Sequence, residues 1–235
     1  MIVILPNCSI CIYTEICNKK EKHFIRHYLT LKKLQTHLPK AVLEDTEIFA
    51  SYGYKIGETG PGNGIIFYVA DKNIYPDGFP MSDGGLNCFY LEAAPVDIPE
   101  KLSLSPTGIL FINLFMSSGS KTTDAEIGAG KNNTLNILQY DENSPAANAC
   151  INYNEGDLSD WFIPSAEELY ELYKLYELKG KNNFGNLSPD FYITSTYGVG
   201  KNNTSITLVN FENDFGPLSA NGSTEEWLVR PIRAF

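Results

Sequence analysis

Beyond His37 the sequence contains no histidine. Residues 54–235 therefore lack the base of a Ser-His-Asp or Cys-His arrangement and the usual nitrogen ligand of zinc, and most hydrolase and metalloprotein readings fall with it. Basic residues are also scarce: 18 Lys/Arg stand against 28 Asp/Glu, a net charge of −10, which disfavours nucleic acid as a partner. After Arg26 the only arginines are Arg230 and Arg233. No apolar run reaches the roughly 18 residues that a membrane span needs. The Glu-Pro-Asn and Trp-Asn-Asp motifs of calcium-dependent sugar binding are missing. What is present is a 43% hydrophobic, 12% aromatic composition, enough for a core of one large or two small domains.

Charge divides the chain. Residues 1–40 hold seven Lys/Arg against two acids, or +5, which leaves eleven against twenty-six, or −15, for residues 41–235. The reading is an N-terminal extension over 1–45 and a main domain over 50–235. The extension carries all three histidines and Cys8, Cys11 and Cys17 of the five cysteines. Cys8, Cys11, His23 and His27 approximate a Cys2His2 zinc spacing, but eleven residues separate the pairs and the apolar positions of a finger do not align. A loosely packed extension or an oligomer contact is the plainer reading. Residues 23–38 are amphipathic, with Phe24, Tyr28, Leu31 and Leu38 spaced helically against Lys22, Arg26, Lys32 and Lys33. Met1–Ile16 is apolar yet has no basic start, contains Pro6 and Glu15, and offers no cleavage site, so it does not read as a signal peptide.

The main domain is organised around GDLSDWFIPSAEELYELYKLY, residues 156–176. Ser165 and Glu168 form an S-x-x-E capping box, and Leu169, Leu172, Tyr173 and Tyr176 then recur at i, i+3, i+4 and i+7, so a helix starts near Ser165. Trp161 precedes Pro164 and is expected in the core. A second helix follows Ser144-Pro145, with Ala146, Ala149, Cys150 and Tyr153 on its apolar stripe. The glycines at 57, 60, 62 and 64 precede the apolar run Ile65–Ala70, a loop feeding a strand rather than a nucleotide loop, which would follow a strand. Cys88–Leu91 reads as a second strand and Gly108–Phe115 as a third strand or buried turn. GAGK at 128–131 fails the Walker test because Asn132 stands where Ser or Thr is needed, so Lys131 reads as lying at a helix start. FYITST (191–196), SITLVNF (205–211) and EWLVRPIRAF (226–235) read as an antiparallel meander, with Pro231 at a bulge or edge. In a strand, Arg230 and Arg233 face opposite sides, so one could be buried against Glu167, Asp160 or Glu92. Cys88 and Cys150 read as buried thiols for which a disulfide is open.

YKIGETGPGNGIIFYV, LEAAPVD, IGAGKNNT, AANACINYNEGDLSDWFIPSAEELYELY, FYITST and the terminal VRPIRAF, in that order, resemble the bacterial domain family found at the C-terminus of the collagen-like adhesin. That family belongs to the C-type-lectin-like fold, in the branch with the formylglycine-generating enzyme and the variable proteins of diversity-generating retroelements. The resemblance covers 54–235 and departs at Ile193, where the family has tryptophan. It implies an α+β fold with two helices on a twisted antiparallel sheet and adjacent N- and C-terminal strands, Ile65–Val69 pairing near Leu228–Ile232. It also implies a bacterial or phage surface location.

Function then divides into three readings. The first is a ligand-binding or adhesion module displaying a loop-rich recognition surface to a protein or carbohydrate on a cell or host surface. The second is a formylglycine-generating-type or degenerate enzyme. The third is a structural or oligomerising part of a surface assembly, with the N-terminal extension as oligomer contact. For binding, the resemblance points to the C-terminal loops, where Tyr197, Lys201, Asn202, Asn203, Asn210, Glu212, Asn213 and Phe215 mix aromatics, amides and charge as an adaptable contact surface does. Trp161, Pro164, Glu168, Trp227, Arg230 and Arg233 are read as structural. No catalytic residue, metal ligand or cofactor is assigned to the main domain. Asp157 with Asp160, and Glu212 with Asp214, read as solvated loop acids.

Overall fold

The computed structural model describes residues 3–5, 8–11, 53–118, 121–155, 157–180, 184–199, 204–212, 218–221 and 224–235. The chain divides into two units, Met1–Gly53, with which Phe235 is grouped, and Tyr54–Ala234. In the first, strands β1 (Val3–Leu5) and β2 (Cys8–Cys11) pair antiparallel. Cys8 and Cys11 thus lie on strand backbone, whereas His23, His27 and the helix read over 23–38 fall outside the described residues.

The second unit is α+β, with four α-helices and two antiparallel sheets among its described residues. In chain order it runs β3 (Ile65–Val69), β4 (Tyr90–Ala93), α1 (Ile109–Ser118), β5 (Lys121–Thr122), α2 (Gly130–Tyr140), α3 (Pro145–Ile151), α4 (Ala166–Leu178), β6 (Phe191–Val199), β7 (Thr204–Asn210), β8 (Leu218–Asn221) and β9 (Ile232–Ala234). One sheet is ordered β3-β4-β9 and the other β5-β6-β7-β8. The first and last strands therefore share a sheet but do not touch, since β4 lies between them: Glu92 is opposite Ile66 on one side and Arg233 on the other.

Alternation along β6 and β7 explains why four helices are needed where two were expected. Tyr192 and Val209, cross-strand partners, enter a core with Leu169, Leu172, Tyr173 and Tyr176 of α4. Their neighbours Ile193 and Leu208, also partners, enter a second core with Phe111 of α1, Ile137 of α2 and Cys150 of α3. Successive strand residues point to opposite faces, so a sheet apolar on both must be covered on both. The isoleucine at 193 sits fully buried in that second core.

Three segments differ from the sequence reading. Gly108–Phe115 is not a strand but lies largely in α1, whose first turn donates Leu110 N–H to the Ser105 hydroxyl. The second strand begins at Tyr90, because Cys88 exchanges backbone hydrogen bonds with Phe79 and closes the preceding loop instead. The C-terminal segment is a strand only over Ile232–Ala234. Before Pro231, Leu228 runs parallel beside Tyr192 and Trp227 exchanges hydrogen bonds with Leu102; after it, Ile232 pairs with Phe162. Proline, lacking the N–H a ladder needs, marks the crossing from one sheet to the other. Cys88 and Cys150 are both free thiols. No described helix is long and apolar enough to cross a membrane.

Candidate functional site

Three buried charged groups hold the loops of the second unit. The first is Glu92, fully buried on β4. One of its oxygens accepts from Gly62 N–H and Gly64 N–H at 2.8 and 2.9 Å, and the other accepts from Arg233 Nη1 at 3.1 Å. Arg233 completes its fork on Asp160, with Nε and Nη2 at 2.8 and 2.9 Å from the two oxygens. The glycine loop needs its glycines for space: a Cβ on Gly64 would lie 1.9 Å from the Ala93 carbonyl oxygen, and one on Gly62 would lie 2.6 Å from the Trp161 ring. Trp161 is buried beside them, with its Nε1 donating to the Leu158 carbonyl at 3.0 Å and Arg233 5.9 Å from the ring centroid. Burial pushes the Glu92 carboxyl up, against the downward pull of the Gly64 amide and of Arg233.

The second is Arg230. Its Nε donates to Asp97 at 2.6 Å, while the two other nitrogens donate to the carbonyls of Ala94, Gly185 and Asn186. Gly185 and Asn186 both take positive φ, at 63° and 53°, so the guanidinium fixes a turn that few residues adopt unaided. Tyr192 donates its hydroxyl to the other Asp97 oxygen at 2.8 Å. Both arginines are thus buried, not one, because Pro231 separates them into different backbone environments. Of the acids considered as their partners, Asp160 and Glu92 serve and Glu167 is exposed. Asp97 was not among them; it is 133 residues from Arg230 in sequence, and no local pattern marked the pair.

The third is Glu168, fully buried at the start of α4. It closes the capping box by accepting from Ser165 N–H at 2.7 Å, and its other oxygen accepts from Gly128 N–H at 2.8 Å, just before α2. Two helix starts converge on one carboxylate. Burial pushes this carboxyl up to about 7, against the pull of the Ser165, Gly128 and Gly130 amides. Around it Ser165 donates to the Glu126 carbonyl, Asn133 donates to Asp124, and Pro164, buried, accepts from Ser195 N–H and hydroxyl. Lys131, at the second position of α2, pairs with Asp83 at 3.0 Å.

The residues read as a contact surface do not stay together. Tyr197 is only 2% exposed, packed edge-on against Phe111 at 5.8 Å in the second core, and Asn210 is 3% exposed, its side chain accepting from Glu212 N–H. Both are corrected to interior residues. Tyr197 belongs to the inward register of β6, opposite Ile206, and its aromatic ring is the larger part of its chemistry. Glu212 is exposed, and Lys201, Asn202, Asn203, Asn213, Asp214 and Phe215 lie outside the described residues. Asp157 is exposed. Trp227 packs on Phe191, with ring centroids 5.6 Å apart. Burial pushes the Cys88 thiol up to about 12 and raises Cys150 as well. Comparison of the chain with protein-family models, curated proteins and solved structures finds no match.

Proposed function

We propose that residues 54–235 form a ligand-binding or adhesion module, a loop-rich recognition surface displayed on a C-type-lectin-like scaffold, as in the variable proteins of diversity-generating retroelements. The observation that carries this reading is the use made of the buried charges: Glu92, Arg230 and Glu168 each bind backbone groups of a loop or helix start. Such preorganisation is what a binding surface built on loops requires, since a fixed loop loses little entropy when it meets a ligand. Cys150 is buried and Cys88, read as a buried thiol, is only half-buried; their surroundings raise the pKa of both, which favours binding over the cysteine-dependent enzyme reading.

With Tyr197 and Asn210 in the interior, the proposed contact set is Lys201, Asn202, Asn203, Glu212, Asn213 and Phe215, between and beyond β6 and β7. The ligand is a protein or carbohydrate on a cell surface. The test is a glycan and cell-surface screen with the full chain, followed by affinity measurements on the ligand found. Phe215→Ala should remove about 2 kcal/mol or more of binding, and rim asparagines much less. EDTA should change nothing. Full-strength binding by the Phe215→Ala/Lys201→Ala variant, or loss of binding in EDTA, overturns the proposal.

A further inference from the structure

We draw no further inference here: the strongest candidate, the exposed apolar stripe of α1 formed by Ile109, Ile112 and Met116, carries none, because nothing among the described residues shows what covers it.

Discussion

Trp161 illustrates how one side chain ties several loops together. Its ring lies against the Gly62 backbone, meets Tyr153 edge-on at 5.3 Å, and carries Arg233 near its face. Truncating it to alanine leaves a large cavity and removes one wall of the Glu92–Arg233–Asp160 network. Trp161→Ala should therefore cost roughly 3–5 kcal/mol, read as a fall in denaturant midpoint without change in slope. An unchanged midpoint would show that the ring contributes nothing to the core. Its burial was legible from the sequence because a tryptophan between a Gly/Asp turn and a Pro-Ser helix start has few other places to go. Tyr197 was not legible in the same way: Asn and Gly neighbours made it look like a loop residue, whereas the inward register of β6 decided its place.

At the scale of elements, α4 was readable in full because its capping box, period and inward face agree, and all three are present in the structure. The helix α1 was not. In GILFINLF only Asn113 interrupts the apolar residues, so neither a period of two nor one of 3.6 can be seen, and a buried helix and a buried strand look alike. The C-terminal segment failed for a different reason, since its residues bridge two sheets and its hydrogen bonds are set by long-range partners such as Ala94 and Ile98. The cap on α4 gives a direct test. The Ser165 hydroxyl accepts from Glu168 N–H and donates to the Glu126 carbonyl, so Ser165→Ala loses a cap and leaves a carbonyl short of a donor. The expected cost is about 1–2 kcal/mol, a fall of roughly 2–8 °C in melting temperature for a domain of this size. A melting temperature that does not move would remove the cap from the account of why this helix starts where it does.

For the whole molecule, the buried carboxylates act together on stability. Glu92, Asp97 and Glu168 are all raised by burial, Asp97 despite Arg230 and Tyr192 and Glu168 despite three backbone amides. A carboxyl whose folded pKa lies above its unfolded value binds its proton more tightly when folded. Its contribution is therefore fully present below the unfolded pKa and is lost as pH rises through the folded one. For Glu168 that window runs from the ordinary carboxyl value of 4.5 to about 7. The −15 carried by residues 41–235 acts in the same direction, because added ionisation increases self-repulsion. The domain should thus unfold at lower denaturant at pH 8 than at pH 5.5, by about 2 kcal/mol from Glu168 alone. Glu168→Gln should be less stable throughout, since its amide group cannot accept from both sets of backbone donors, but its stability should vary less across that range. Denaturant titrations of both proteins at intervals between the two pH values would decide it. A wild-type profile that rises toward pH 8, or a Glu168→Gln profile that falls as steeply as the wild type, would mean that the carboxylate is held ionised by the two helix starts and that its burial does not set the pH dependence of folding.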